Sequence, residues 1–250
     1  MQKFGIEVTY LFNSGFFVET RQYLFLFDYC KDQAKTVSLG KKRPHQSGVK
    51  KIMNTDKQVL IFASHSHADH FNPVVLQWIA FNNRINYILS NDIKTPRLDN
   101  ALMKRVKLIS AYEELELGEV KIKTFGSTDQ GVSFLVQADG LTIFHAGDLN
   151  WWDWSDDPEE ERRSAERRFI DEIAKLKGAE IDLAFFPVDP RLGRNYAGGG
   201  KRLIKELRPE VFIPMHFGVN YEIIDRFTEE IKNFGTKVIR INSSPQQILI

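Results

Sequence analysis

The sequence has very little cysteine, no long apolar run and almost no net charge. Cys30 is the one cysteine among 250 residues, which excludes an intramolecular disulfide and a thiolate cage for a metal. No stretch reaches the roughly 18 consecutive apolar residues of a membrane span, and the N-terminus MQKFGIEVTY lacks the features of a secretory signal. We therefore expect a cytoplasmic protein without a membrane partner.

The charge balance argues against a nucleic-acid partner but does not exclude one. A total of 34 basic and 33 acidic residues leaves a formal charge of +1, so no whole-molecule field draws the chain to a polyanion. Residues 31–57 are locally basic, with eight lysines and arginines against two aspartates, and their lack of periodicity predicts a long surface loop. Nucleic acid is thus an open alternative that we do not favour.

Strand-like and helix-like segments occur in both halves of the chain. The hydrophobic fraction of 42% supports a large core, and without a linker or repeat we predict one domain over residues 1–250. Apolar, β-branched segments bounded by turn residues predict strands in each half. Apolar residues at helical spacing predict helices at 73–81, 158–177, 198–207 and 221–234. The pattern predicts an α/β fold with two packed sheets and helices outside.

Three histidines and an aspartate lie within six residues at the end of a predicted buried strand. The segment HSHADH, residues 65–70, directly follows the apolar run QVLIFA. Imidazole nitrogen and carboxylate oxygen are ligands that zinc accepts. A turn lets neighbouring rings converge on one ion, whereas a straight strand would point them to opposite faces. The sequence therefore predicts a metal site that is centred on His65, His67, Asp69 and His70.

This string resembles the H-x-H-x-D-H hallmark of the metallo-β-lactamase superfamily of binuclear metal hydrolases. The resemblance extends over nearly the whole chain, through Asp28 at a strand end, Asp148 in the segment HAGD and His216 in the segment PMHFG. It implies a four-layer αββα sandwich and a metal-dependent hydrolase. It also implies three sets of ligands: His65 and His67 for the first metal, Asp69, His70 and His216 for the second, and Asp148 as a bridge.

One position departs from the superfamily pattern. Where the family usually has a third histidine for the first metal, this chain has Ser127 in the segment GSTDQG. Three outcomes are open: Asp129 supplies an oxygen ligand, water fills the place of the histidine, or the enzyme works with one ion. We expect Zn²⁺ as the cofactor, as one or two ions, and an oxygen-richer site would shift the preference toward Mn²⁺ or Fe²⁺.

Several neighbours of these ligands are candidates for orienting them or for touching the substrate. The resemblance implies that Asp28 orients a ligand histidine, and a simple turn carboxylate is the alternative. Trp152 belongs to an aromatic run beside Asp148 and would suit an organic substrate, unless it only packs the loop. The remaining candidates, each weighed against a structural or surface role, are His145, Asp189 and the potential anion-binding residue Arg191.

The expected reaction is hydrolysis of an ester, lactone, amide or phosphoester of a small, in some cases anionic, substrate. Asp69 and Asp148 are the candidate catalytic residues, because they would orient the attacking water and accept its proton. The segment HAGD and the short chain resemble most the cytosolic branch that contains ascorbate-6-phosphate lactonase. Two alternatives stay open: an RNA or DNA phosphodiesterase of the same fold, and a non-catalytic metal-binding or sensory protein.

Overall fold

The computed structural model describes residues 5–30, 50–95 and 103–250. The chain divides into two compact units, Met1–Ile109 with Ser243–Ile250 and Ser110–Asn242. Each unit contains one seven-stranded sheet, so the predicted mixed α/β class with two sheets is confirmed. The organisation as one domain over residues 1–250 stays a prediction.

The sheet of the first unit changes from antiparallel to parallel along its width. Its strands are β1 (Glu7–Phe12), β2 (Gly15–Glu19), β3 (Tyr23–Phe27), β4 (Gln58–Ala63), β5 (Ile85–Ser90), β6 (Val106–Ile109) and β14 (Gln246–Leu249). The spatial order is β14-β1-β2-β3-β4-β5-β6. The first three strands form an antiparallel meander, and β3 to β6 run parallel. The carboxyl ends of β3, β4 and β5 therefore lie along one edge, where open α/β sheets usually place their sites.

The sheet of the second unit has a parallel part of the same size. Its strands are β7 (Glu114–Leu117), β8 (Val120–Gly126), β9 (Val132–Ala138), β10 (Leu141–His145), β11 (Leu183–Pro187), β12 (Val211–Met215) and β13 (Lys237–Val238). The spatial order is β13-β12-β11-β10-β9-β8-β7. Strands β10 to β13 run parallel. Strands β9 and β10 form an antiparallel hairpin whose turn residues, Asp139 and Gly140, have φ values of 52° and 76°, as two-residue turns of this kind require.

Three α-helices belong to the second unit: α1 (Glu159–Lys175), α2 (Gly198–Leu207) and α3 (Glu222–Ile231). In α1 three glutamates occupy the first turn and Lys175 the last, which complements the helix dipole. Phe169 on its apolar stripe is fully buried and packs on Phe186 of β11, with ring centroids 6.1 Å apart. No helix in the described ranges is both long and apolar enough to cross a membrane.

Some segments differ from the sequence prediction. Strands β7 and β14 are absent from it, because the segments ELEL and QQIL are polar and gain their strand structure from pairing with β8 and β1. Pro73–Ala80 is a 3₁₀ helix rather than an α-helix. Residues 31–49 of the predicted basic loop lie outside the described residues. In its remaining part, Lys51–Asn54 forms a 3₁₀ helix. The prediction of a surface loop is wrong there, because Ile52 is fully buried in the apolar core.

The three glycines that begin α2 differ in the space around them. A Cβ atom on Gly200 would lie 2.9 Å from Cζ of Phe227, whereas one on Gly198 would lie no closer than 3.5 Å to Trp151. We predict that Gly200→Ala lowers the free energy of unfolding by about 1–3 kcal/mol through overpacking. Gly198→Ala should leave it unchanged or raise it slightly, since alanine is the better helix former. Urea denaturation followed by circular dichroism measures both, and equal effects would contradict the packing argument.

Candidate metal centre

Three neighbouring parallel strands of the first unit end in polar residues. Asp28 follows β3, the segment 64–70 follows β4, and Asp92 follows β5. Because these strands are parallel and adjacent, their following residues gather at one edge of the sheet. The sequence-predicted cluster of histidines therefore has a carboxylate on a neighbouring strand end.

Asp28 is a buried carboxylate that fixes one of these histidines. It is fully buried and accepts hydrogen bonds from the backbone N–H and the hydroxyl of Ser64, each at 2.7 Å. The Nδ1 of His70 also lies 2.7 Å from Asp28 Oδ2. An Nδ1–H that donates to a carboxylate leaves Nε2 as the nitrogen that can bind a metal. This Nε2 is 3.6 Å from Oδ2 of Asp69.

The other two histidines of the segment lie beside His70. The rings of His65 and His70 are 4.1 Å apart between centroids, and His65 Nε2 is 3.0 Å from His67 Nδ1. The backbone N–H of His70 donates to the carbonyl oxygen of His67 at 3.0 Å, so the chain turns within the segment. The structure thus brings together the four residues at which the sequence predicts the centre, with His67 and Asp69 exposed and the other two buried.

Two further residues support this cluster and are missing from the sequence prediction. Asn13, in the turn between β1 and β2, donates from Nδ2 to Oδ2 of Asp69 at 3.2 Å. Asp92 accepts a hydrogen bond from the backbone N–H of Ser66 at 2.9 Å. Asp92 comes two residues after the segment INYILS, which has the composition of a strand, and this position is a signal that could have identified it. Asn13 has no such signal, because the sequence indicates only a turn there.

The second unit repeats this arrangement at the ends of β10, β11 and β12. Asp148, Asp189 and His216 follow these strands in turn. The Nδ1 of His216 lies 2.9 Å from Oδ2 of the fully buried Asp189, and its Nε2 lies 3.4 Å from Oδ1 of Asp148. Both units therefore present an imidazole that is held on one side by a buried carboxylate and faces a second carboxylate on the other.

Arg191 contacts Asp189 directly. Its Nε lies 3.0 and 2.9 Å from the two carboxylate oxygens, and its backbone N–H donates to Oδ1 at 2.9 Å. Burial raises the pKa of Asp189, but the hydrogen bonds from His216 and Arg191 outweigh it and leave the pKa below its usual value. The geometry thus gives Arg191 a role in holding the carboxylate behind His216, in addition to the proposed contact with an anion.

His145 and Trp152 lie on either side of Asp148 in the sequence and have different surroundings. His145 is fully buried, accepts a hydrogen bond from the backbone N–H of Gly147 at 3.2 Å and packs on Phe185, which favours a structural role. Trp152 donates from Nε1 to the carbonyl oxygen of Asp148 at 3.0 Å. Its ring meets that of His216 edge-on, with centroids 5.7 Å apart.

The turn at the substituted position is tied to the loop that contains Asp148. Thr128 donates its hydroxyl to the carbonyl oxygen of Asn150 at 2.5 Å and accepts from the Asn150 N–H at 2.9 Å. The backbone N–H of Asp129 donates to the hydroxyl of Ser127 at 3.2 Å, and the side chain of Asp129 is exposed. The three outcomes for the missing histidine all stay open.

The donor atoms of both clusters suit a divalent metal. His70 and His216 each have Nδ1 on a buried carboxylate and Nε2 within 3.6 Å of another carboxylate oxygen. A histidine whose second nitrogen is bonded to a carboxylate is the usual arrangement of a metal ligand and its outer support. Mixed imidazole and carboxylate ligands are accepted by zinc, manganese and iron.

Comparison with known proteins gives consistent matches. The family described as the beta-lactamase superfamily domain matches residues 7–159. The chain is 27% identical to a UPF0173 metal-dependent hydrolase of Opitutus terrae over 254 residues, which is 93% of this chain and 95% of the relative. Igni18, a metallo hydrolase of Ignicoccus hospitalis, superposes with a TM-score of 0.63 at 18% identity, over 97% of each chain. YhfI of Bacillus subtilis, a metallo-beta-lactamase fold protein, gives 0.57 at 13% identity, over 97% of this chain and 98% of that one. The expected fold class is thereby confirmed.

The buried aspartates can be tested without altering any ligand. We predict that Asp28→Asn and Asp189→Asn each lower metal affinity about 10- to 100-fold, because an amide nitrogen facing Nδ1 disfavours the required tautomer. Chelator competition followed by elemental analysis measures the affinity. Asp171→Asn, on the exposed face of α1, is the matched control and should bind like the unmodified chain. Unchanged affinity in both folded variants would show that these carboxylates do not support a metal site.

Proposed function

Since the chain belongs to the family of the beta-lactamase superfamily domain, we propose that this metal-dependent hydrolase uses water to cleave an ester, lactone, amide or phosphoester of a small substrate. The observation that supports it most is the repeated aspartate–histidine pair, Asp28 with His70 and Asp189 with His216. Two imidazoles that are fixed by buried carboxylates are preorganised for metal binding before any ion arrives. The assignment to the lactonase-like branch and a cytoplasmic setting stay predictions.

We assign the ligands by the superfamily pattern. The proposed roles are His65 and His67 for the first metal, Asp69, His70 and His216 for the second, and Asp148 for both. The close approach of His65 to His67 and of Asp148 to His216 supports the assignment, since each pair of ligand atoms lies within 3.4 Å. Zinc is the metal that we propose first, with manganese or iron if an oxygen ligand replaces the histidine at Ser127.

The two candidate catalytic carboxylates differ in their surroundings. A bound divalent ion would supply a strong nucleophile from water near neutral pH and a Lewis acid for the substrate oxygen. The side chain of Asp69 is 51% exposed and that of Asp148 only 6%. Asp69 can therefore exchange a proton with solvent, and the hydrogen bond from Asn13 orients one of its oxygens. We propose Asp69 as the proton acceptor and Asp148 chiefly as the bridging ligand.

The described part of the basic segment does not favour nucleic acid. Lys51 Nζ lies 2.9 Å from Glu7 and 2.7 Å from Glu19, and Lys57 Nζ lies 2.9 Å from Glu19. Burial raises the pKa of Glu19, but the hydrogen bonds from both lysines outweigh it and leave the pKa lowered, so this carboxylate stays charged. Two of the basic side chains are thus already paired within the chain, which supports a small-molecule substrate.

The first test is elemental analysis of the purified chain, together with hydrolysis assays on lactones, esters and phosphodiesters. We expect one or two metal ions per chain and hydrolysis that a chelator abolishes and added metal restores. His67→Ala should lose metal and activity by more than the 10- to 100-fold typical of an outer-shell change. If the unmodified chain holds two ions and Asp129→Ala holds fewer, Asp129 is a ligand. If the unmodified chain holds one ion and Asp129→Ala keeps it, the enzyme is mononuclear. A chain that binds no metal under any loading condition would contradict the proposal.

Salt dependence separates a small substrate from nucleic acid. A protein that contacts several phosphates loses about 10³-fold or more in affinity between 50 and 200 mM salt. We expect kcat/KM on the best small substrate to change little over this range. Cleavage of single-stranded RNA with a steep salt dependence, at a rate above that on every small substrate, would favour the phosphodiesterase alternative instead.

A further inference from the structure

Two tryptophans beside the second cluster form a defined aromatic surface. The rings of Trp152 and Trp154 are parallel within 7°, and their centroids are 6.1 Å apart. Contacting carbon atoms are only about 3.5–4.0 Å apart, so stacked rings at this centroid distance must be laterally offset. Both side chains are only partly buried. We call this pair the tryptophan platform.

Contacts at its two ends hold the platform next to the candidate metal ligands. Trp152 is fixed by its hydrogen bond to the carbonyl oxygen of Asp148 and by its edge-on contact with His216. At the other end the guanidinium carbon of Arg191 lies 5.9 Å from the ring centroid of Trp154. Asp148 and His216 are proposed ligands, and Arg191 binds Asp189, the carboxylate that holds His216. The platform is therefore coupled to the same strand ends as the ligands.

The residue between the two tryptophans anchors the backbone. The carboxylate of Asp153 pairs with the guanidinium of Arg162 on α1 through contacts of 2.6 and 3.1 Å. Its carbonyl oxygen accepts a hydrogen bond from Nδ2 of Asn195 at 2.8 Å. Fixed aromatic side chains give up little conformational entropy when a ligand packs on them. Rigid indoles that stay accessible to solvent thus provide preorganised contact area.

We propose that the tryptophan platform binds a planar aromatic group of the substrate. This inference rests on the proposed function, because the platform adjoins His216 and Asp148. An aromatic ring gains offset or edge-to-face contacts with the partly exposed indoles that a saturated ring of the same size lacks. Such contacts would hold the group beside the ligands and leave the bond to be cleaved on the side of His216.

The test compares two probes of equal charge and similar size, 2-naphthoate and its fully saturated decahydro analogue. Isothermal titration with the full chain, after incubation with the metal, measures both dissociation constants. We expect naphthoate to bind about three- to tenfold more tightly. Trp154→Leu should abolish this preference, and Trp154→Phe should restore part of it. Phe234→Leu, at a partly exposed aromatic residue of the same unit, is the matched control and should keep the full preference.

The outcomes for the platform and for the hydrolase are distinguishable. Metal content and hydrolysis are measured on the same preparations. A chain that holds metal and hydrolyses substrate but shows no preference for naphthoate overturns the platform alone. A preference that persists undiminished in Trp154→Leu also overturns it. A chain with the preference but without metal under any loading condition overturns the hydrolase proposal and leaves the aromatic site standing.

Discussion

Each of the two candidate clusters depends on a buried hydrogen bond between an aspartate and a histidine. A carboxylate away from water costs several kcal/mol unless hydrogen bonds replace its hydration. Asp28 meets this requirement with Ser64 and His70, and Asp189 with Arg191 and His216. In each case one of the bonds that stabilise the buried charge also sets the tautomer of the candidate ligand histidine. Stability of the fold and readiness for a metal therefore come from the same contact.

The backbone is also unusual at two of these strand ends. Asp28 and His216 have positive φ values of 44° and 64°, a region that costs a non-glycine residue about 1–3 kcal/mol. Packing directly beneath Asp28 resists relaxation: Phe27 and Phe62 stack with centroids 4.7 Å apart, and the Asp28 N–H donates to the Phe62 carbonyl oxygen at 3.0 Å. The apolar strands thus hold Asp28 in a local conformation that it would not adopt alone.

The sequence predicts those parts of the structure that are determined locally. Continuous apolar runs identify β4 and β11, and the dense string HSHADH identifies the first cluster. Contacts between residues that are distant in the sequence cannot be predicted in this way. Asn13 contacts Asp69, which is 56 positions away, and Asp92 contacts Ser66, which is 26 positions away. The polar strands β7 and β14 are not predicted for a related reason, because their strand structure depends on pairing with the neighbouring strand and not on their own side chains.

The turn around Ser127, where the superfamily pattern has a third histidine, is fixed by hydrogen bonds on both sides. Gly126, just before it, donates its N–H to the carboxylate of Glu172 at 3.1 Å, and a Cβ atom there would lie 2.9 Å from Cδ of that side chain. Thr128, just after it, is bonded to Asn150. The turn is therefore held on both sides, and its side chains at residues 127–129 carry oxygen atoms and no imidazole. Under the proposed ligand assignment, an oxygen ligand from this turn would favour harder ions than an imidazole would, so the choice of metal would depend on this turn and not on the histidine string that first indicates a metal.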